Sequence, residues 1–407
     1  MRDWRFFSIF AAKFNINLFK YIISMKPVTY IGCDDAELDL FESQYELPEG
    51  MCYNSYLLAG EKIAIMDSVD PRKTDEWLEK LAAALEGRKP DYLIVQHMEP
   101  DHSGSIRAFR EAYPQTEILA SGKALLFMQQ FNEGISMEGT RAIHDGDELD
   151  LGGLTLRFIA APFVHWPEVM MTYVKEVKTL FSADGFGKFG VYDADPDDWA
   201  CEARRYYFNI CGKYGVQVQK ALDKVKELEV DTICPLHGPV LEGEKREEAM
   251  RLYTIWSAYD VETNGVLVAH ASIHGNTAAA ANLLAEMLRA RGFEKVAVAD
   301  LCRDDMAEVI EDAFRMGRMV CCCATYDGDI FPPMHTFLWK LQLKGYRDRK
   351  VGLLENGTWA PVAARKMREI ISTMKDVEIV EPVVSIKSSL HDADIDQLEA
   401  LANAISK

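Results

Sequence analysis

Short apolar runs separated by polar turns fill residues 25–260 of the chain. Residues 53–58 and 62–67 form two such runs around a turn at Gly60, and residues 91–95 form a third. Between them, residues 75–85 carry apolar side chains at helical spacing, and this segment stops before Gly87. The pattern predicts short strands with a helix between the second and the third.

The same alternation continues toward residue 160. A strand is predicted over residues 116–120 and a helix over residues 122–131. The turn at Asp145-Gly146-Asp147 precedes an apolar segment at residues 149–153 and a strand at residues 154–160. The first half of the chain therefore has the pattern of a mixed α/β unit.

Metal-ligand residue types follow the apolar run 91–95 directly. The segment Gln96-His97-Met98-Glu99-Pro100-Asp101-His102 carries four of them, His97, Glu99, Asp101 and His102. Loops at the ends of strands are where α/β folds place their chemistry. Imidazole and carboxylate together suit first-row transition metals. Four ligands on one short loop favour two metal ions over one; the alternative interpretation is a polar surface loop.

Three more candidate ligands stand at the ends of later apolar runs. His165 follows residues 156–162, Asp184 follows residues 179–182, and His237 follows residues 232–236. One such residue would be typical of an ordinary loop. Four separate strand ends that all carry His or Asp favour candidate metal ligands over ordinary loop residues.

Near residue 260 the pattern changes. A compact apolar strand at residues 266–271 runs into a loop and then an Ala-rich helix at residues 278–291. Hydroxyls, backbone N–H groups and the helix dipole of such a loop favour a phosphate. Its sequence is neither the phosphate loop of nucleotide triphosphatases nor a dinucleotide fingerprint. The loop is Ser272, Ile273, His274, Gly275, Asn276 and Thr277.

Strands and helices then alternate to the end of the chain. Strands are predicted at residues 295–299, 319–324, 350–354 and 377–384, and helices at residues 306–314, 338–345, 362–374 and 394–405. This alternation predicts a doubly wound parallel sheet. Two further loops at carboxyl ends of strands join the candidate binding site: Thr325, Tyr326, Asp327, Gly328 and Asn356, Gly357, Thr358, Trp359. Tyr326 and Trp359 could flank a planar ring, or simply pack at the sheet edge.

The amino-acid composition and net charge limit the classes of partner that the protein is expected to bind. The 407 residues are 48% hydrophobic and 27% charged, with a formal net charge of -19. This acidity argues against nucleic acid and against anionic membranes as partners. Nine cysteines without a C-x-x-C pair indicate a reducing, cytoplasmic location.

Residues 1–24 are basic and aromatic, unlike the chain that follows. They are either an extension upstream of a start at Met25 or an interfacial amphipathic helix.

The order and spacing of the candidate ligands resemble the metallo-β-lactamase fold across residues 25–260. Zinc hydrolases of that fold usually carry H-x-H-x-D-H, whereas this chain has the carboxylate Glu99 at the second position. That exchange shifts the preference from zinc toward iron. The loop at Ser272–Thr277 resembles the [ST]-x-x-G-x-T phosphate loop of flavodoxins. Together, the two parts resemble a flavodiiron protein.

This resemblance implies a four-layer αββα sandwich followed by a flavodoxin-like doubly wound sheet at residues 261–407. It implies that His97, Glu99 and His165 hold one iron, that Asp101, His102 and His237 hold the other, and that Asp184 bridges them. Glu99, Asp184 and His165 become the catalytic residues, and the three loops bind FMN. The implied activity is reduction of dioxygen to water, of nitric oxide to nitrous oxide, or both.

The resemblance also implies partners: a head-to-tail homodimer, and a rubredoxin-like protein or flavin reductase as electron donor. Three segments depart from the family pattern, namely residues 183–189, 238–241 and 356–359. They remove no ligand but leave the choice of gas open. Two other functions stay open from the residues alone: a zinc-dependent hydrolase with an appended flavodoxin domain, and a non-enzymatic FMN electron carrier.

Overall fold

The computed structural model describes residues 27–194 and 198–407. The predictions for residues 1–24 and for a start at Met25 lie outside these residues. Within them, each helix is too short or too polar to cross a lipid bilayer.

The first part of the chain forms two six-stranded sheets and two small two-stranded sheets. One sheet has the order β1-β6-β7-β8-β9-β10 and the other the order β11-β12-β13-β14-β15-β16. The strands are β1 Val28–Tyr30, β2 Cys33–Asp35, β3 Leu40–Phe41, β4 Tyr45–Glu46, β5 Met51–Tyr53, β6 Tyr56–Ala59, β7 Ile63–Met66, β8 Tyr92–Val95, β9 Glu117–Ser121, β10 Thr140–Ile143, β11 Glu148–Asp150, β12 Thr155–Ala160, β13 Met170–Val174, β14 Thr179–Phe181, β15 Thr232–Cys234 and β16 Leu241–Glu242.

Helices accompany both sheets. They are α1 Thr74–Leu85, α2 Pro100–Ser103, α3 Ile106–Ala112, α4 Gly122–Phe131, α5 Trp199–Ile210, α6 Gly215–Lys226 and α7 Gly243–Ala258. The helices predicted at residues 75–85 and 122–131 are present at nearly the predicted bounds.

Alternation along the strands explains why the two sheets stack. On β8, Leu93 belongs to the cluster that contains Trp77 of α1, whereas Ile94 belongs to a cluster shared with Phe158 and Phe181 of the other sheet. Successive side chains of a strand point to opposite faces, so one face meets helices and the other meets the second sheet. The predicted αββα sandwich is confirmed.

The second part of the chain forms one sheet with the order β18-β17-β19-β21-β22, in which these strands pair in parallel. Its strands are β17 Thr263–Ala271, β18 Lys295–Asp300, β19 Met316–Tyr326, β20 Asp329–Ile330, β21 Lys350–Asn356, β22 Glu378–Ile379 and β23 Val384–Ile386. Its helices are α8 Asn276–Arg289, α9 Met306–Arg315, α10 Pro332–Leu343, α11 Ala363–Ile371 and α12 Asp392–Ile405.

Helices cover both faces of this sheet. Val268 of β17 packs in a cluster with Leu284 of α8 and Leu401 of α12, whereas Leu267 packs in the cluster that contains Ile310 of α9. The doubly wound parallel sheet is therefore confirmed.

Three element predictions need correction. The strand predicted over residues 377–384 is two strands, β22 and β23, because Pro382 lacks the N–H that a continuous ladder requires. The helix predicted over residues 338–345 begins six residues earlier, at Pro332, where proline is favoured in the first turn. The helix predicted over residues 362–374 ends at Ile371.

Buried polar contacts join the two parts near residue 260. The Arg204 guanidinium donates to both carboxylate oxygens of Glu262 at 2.7 and 2.5 Å, and Trp256 Nε1 donates to Glu262 at 2.6 Å. Beside them, the rings of Phe208 and Phe314 stack with centroids 4.6 Å apart. The division at residue 260 lies between α7 and β17, and the domain boundary itself stays a prediction.

Candidate metal centre and flavin pocket

The structure brings the seven predicted metal ligands together in two groups. His97, Glu99, His165 and Asp184 form the first group, and Asp101, His102 and His237 form the second. Within each group the candidate ligand atoms lie within 4.8 Å of one another. Glu99 is half-buried, and the other six residues are buried.

Local sequence explains how one loop supplies four of these residues. β8 ends at Val95, and the short helix α2 begins at Pro100, a residue suited to the first helical turn. His97 and Glu99 lie in the extended stretch before the helix, whereas Asp101 and His102 lie on its first turn. The bend between strand and helix therefore separates the loop residues into the two groups.

Asp184 lies between the groups. Its Oδ2 is 3.1 Å from His97 Nε2 and 3.1 Å from His165 Nε2. Its Oδ1 is 3.4 Å from His102 Nε2 and 3.7 Å from His237 Nε2. One oxygen thus faces each group, which is the arrangement that a bridging carboxylate needs.

The separations suit donors that share an ion. Two ligand atoms about 2.1 Å from one ion and about 90 to 110° apart lie about 3.0 to 3.4 Å from each other. Glu99 Oε2 lies 3.0 Å from His165 Nε2 and 3.4 Å from His97 Nε2. Asp101 Oδ2 lies 3.3 Å from the Nε2 atoms of both His102 and His237.

Hydrogen bonding behind the rings sets which nitrogen faces the centre. His237 Nδ1 donates to the Cys52 carbonyl at 2.7 Å, so its Nε2 lone pair points inward. His102 Nε2 lies 2.9 Å from His237 Nε2, where two lone pairs can share one cation. Among the described residues, both oxygens of Asp101 and of Asp184 are buried without a hydrogen-bond partner. Orphaned buried acceptors around converging imidazoles fit a pair of metal ions.

The electrostatics favour positive charge. Burial alone would lower the pKa of His97, but the Asp184 carboxylate outweighs it and holds that pKa well above its ordinary value. Burial would likewise lower the pKa of His165, but the nearby Asp184 and Glu99 carboxylates raise that pKa to about 9. Burial would raise the pKa of Asp184, but His97 and the other imidazoles hold it well below its usual range. All three pKa shifts favour positive charge next to the carboxylates, as expected of a site that binds cations.

Two buried carboxylates that sequence reasoning missed hold the loop. Asp67 accepts from the backbone N–H of Gln96 at 2.7 Å and from its side-chain amide at 2.9 Å. Glu168 Oε1 accepts from the Met98 N–H at 3.0 Å and lies 2.8 Å from His97 Nδ1. The only sequence signal for Glu168 was its place three residues after His165.

Aromatic rings close the second group. Phe41, Tyr53 and Tyr206 lie 5.6, 6.2 and 5.6 Å from the His237 ring, centroid to centroid. Two of the segments that depart from the family pattern, residues 183–189 and 238–241, contact each other beside these rings. Gly238 has a φ of +83°, and a Cβ there would lie 2.6 Å from Lys188 Cγ. The buried stem of Lys188 therefore occupies the space that a larger residue at position 238 would need.

The predicted flavin loops line one cavity of about 530 Å³ at the carboxyl edge of the second sheet, a size typical of cofactor pockets. All fourteen predicted residues line it except Gly275. That glycine has a φ of +86° and begins α8, and its N–H donates to Ser272 Oγ. Trp359 is 90% exposed and Tyr326 is 44% exposed. These uncovered aromatic faces and the adjacent helix N-terminus fit a planar ring with a phosphate.

Two of these residues also shape the loops. Thr325 Oγ1 accepts from the N–H groups of Val362 and Ala363 at the start of α11. Asn356 donates to the Ser388 carbonyl at 2.9 Å and accepts from the Ser388 N–H at 3.1 Å. Ser388, which the sequence did not single out, is thereby held against the cavity that it helps to line.

Comparison with known proteins agrees with this architecture. A family model described as ODP family beta lactamase matches residues 51–238. The flavo-diiron protein FprA2 of Clostridium acetobutylicum is 29% identical over 70% of this chain and 76% of its own length. The anaerobic nitric oxide reductase flavorubredoxin of Vibrio vulnificus is 26% identical over 82% of this chain and 69% of its own length.

A solved structure shares the whole fold. The rubredoxin oxygen:oxidoreductase of Desulfovibrio gigas superimposes with a TM-score of 0.88 and 24% identity, over 93% of this chain and 96% of that one. A lactamase-like sandwich with paired His and carboxylate groups, joined to a flavodoxin-like sheet, defines the class as a metal-dependent flavoprotein. In sequence and in fold, the chain is similar to the flavodiiron proteins over most of its length.

Proposed function

We propose that this protein is an oxidoreductase that reduces dioxygen to water, nitric oxide to nitrous oxide, or both, at a non-haem diiron site that receives electrons from FMN. The observation that carries the proposal is the placement of Asp184, whose two oxygens face two separate groups of His and carboxylate donors. The name of the Vibrio relative supports the nitric oxide reaction.

The grouping of the donors supports the ligand roles that we propose. His97, Glu99 and His165 would hold one iron, Asp101, His102 and His237 would hold the other, and Asp184 would be shared between them. Three carboxylates among four imidazoles favour iron over zinc, because hard oxygen donors stabilise the higher oxidation state. When bound, the iron pair and FMN can each supply two electrons, which together meet the four that dioxygen requires.

The surrounding residues prepare the site for a small neutral gas. The rings of Phe41 and Tyr206 pack against His237, and the ring of Trp166 packs against His97 at 5.3 Å. Such an apolar wall limits water at the metal pair and leaves the imidazoles in one orientation.

Flavin binding is assigned to the three loops that line the 530 Å³ cavity. Backbone N–H groups at the start of α8 would receive the phosphate, and Tyr326 and Trp359 would flank the ring system. We propose residues 25–260 and 261–407 as the two domains, a head-to-tail homodimer as the assembly, and a rubredoxin-like protein or flavin reductase as the electron donor. We further propose a cytoplasmic location, in keeping with nine cysteines without a disulfide.

The test is metal and flavin content followed by gas consumption. Anaerobically purified protein is expected to hold about two irons and one FMN per chain. Glu99→Ala and Asp184→Ala should abolish consumption of both gases, and His144→Ala serves as the control because His144 is an exposed histidine outside both groups. Stoichiometric zinc in place of iron, or undiminished gas consumption by Asp184→Ala, would refute the proposal.

A further inference from the structure

The two donor groups differ in what lies behind their histidines. In the first group, His97 Nδ1 lies 2.8 Å from Glu168 Oε1, and both side chains are fully buried. In the second group, His237 Nδ1 donates to a neutral backbone carbonyl, that of Cys52. The remaining second-group histidine, His102, has a buried Nδ1 that makes no hydrogen bond within the described residues.

The contact with Glu168 determines which nitrogen of the His97 ring carries the proton. Glu168 Oε1 already accepts the N–H of Met98 at 3.0 Å, so it acts as an acceptor and His97 Nδ1 carries the proton between them. His97 Nε2 is then free to donate its lone pair toward the first group. A carboxylate behind an imidazole makes the ring a stronger donor than a carbonyl does, and it adds negative charge close to the ion.

We propose that Glu168 is a positioning residue that makes the two metal positions unequal. Acting through His97, it causes the position formed by His97, Glu99 and His165 to bind iron more tightly than the position formed by Asp101, His102 and His237. The same charge makes the iron at the first position harder to reduce. This inference rests on the proposed diiron function.

The wild-type protein provides a first test that needs no variant. One equivalent of Fe²⁺ is added anaerobically to chelator-treated protein, and the protein is then crystallised. Anomalous scattering at the iron edge locates the bound iron. The expected result is iron in the His97 group. Equal occupancy of both groups, or preference for the His237 group, would overturn the proposal. Failure to bind iron at either position would instead refute the proposed diiron function.

Glu168→Gln tests the charge at nearly constant shape, because the amide oxygen can still accept from Met98 and His97. Fe²⁺ titration by calorimetry should show the tighter affinity reduced by about 10- to 100-fold and the weaker one unchanged. In potentiometric titration of the doubly loaded protein, one iron should become easier to reduce and the gap between the two potentials should narrow.

Asp67→Asn is the matched control. Asp67 is also a buried carboxylate bonded to the same loop, but its contacts are with Gln96 and the His97 backbone N–H and not with an imidazole nitrogen. The control should keep two unequal affinities and the wild-type gap in potential. Equal weakening of both positions by Glu168→Gln, or loss of the inequality in Asp67→Asn as well, would show that Glu168 merely supports the loop.

Discussion

Raising the pH from 6.5 to 9 should destabilise the metal-free protein. The pKa of His165 is raised from 6.5 to about 9, because Asp184 and Glu99 outweigh the effect of burial. A folded-state pKa above the unfolded value means that folding favours the protonated ring. This stabilisation is fully present below pH 6.5 and is lost as the pH rises through about 9.

The magnitude follows from the size of the shift. A change of about 2.5 pKa units at roughly 1.4 kcal/mol per unit corresponds to about 3 kcal/mol of unfolding free energy. The pKa values of His97 and His102 are also raised, but the same carboxylates serve all three rings, so their contributions do not add. The pKa values of Glu99 and Asp184 are lowered, so their contributions are lost only on acidification and are constant over this range.

The assay is thermal unfolding of chelator-treated protein at pH 6.5, 7.5 and 9. For a unit of this size the melting temperature should fall by roughly 6 to 12 °C across the range. Iron-loaded protein should behave differently, because metal replaces the protons and its affinity rises with pH. His165→Asn should reduce the pH dependence of the metal-free protein, whereas His144→Asn should leave it unchanged. A melting temperature that is constant or rises with pH in the metal-free wild type would refute the reasoning.

Two further predictions concern the joint between the parts and the flavin pocket. Glu262→Ala removes the carboxylate that accepts two hydrogen bonds from the Arg204 guanidinium, whose side chain is 5% exposed, and leaves it only the Glu311 carboxyl group at 3.6 Å. The same change removes the acceptor of Trp256. Urea unfolding should show that the free energy of unfolding falls by about 3 kcal/mol. A fall below about 1 kcal/mol would contradict the stabilising role of the Arg204–Glu262 pair. Trp359→Ala should leave stability within about 0.5 kcal/mol, because the ring is 90% exposed, yet weaken FMN by roughly 5- to 30-fold in a fluorescence titration of the flavin-free protein. Unchanged FMN affinity would exclude ring stacking on Trp359.

Features that depend on local pattern were predictable from the sequence. The run of apolar residues before His97 identifies a strand, and the run of ligand types after it identifies the loop at its end. The alternation after residue 260 likewise predicts the parallel sheet, whose carboxyl edge collects the three predicted loops around one cavity. Periodicity and turn chemistry are properties of neighbouring residues, and they persist in any fold that the chain adopts.

Tertiary structure alone decided which partners these residues meet. Glu168 reaches His97 across 71 positions of sequence, and Asn356 meets Ser388 across 32. Nothing in the local sequence distinguishes Glu168 or Ser388 from solvated loop residues, because their role depends on burial and on a partner supplied by another strand end. The division of seven ligands into two groups around Asp184 is decided in the same way. A sequence can present the donors, but only the packing of the two sheets sets the distances that make them one site.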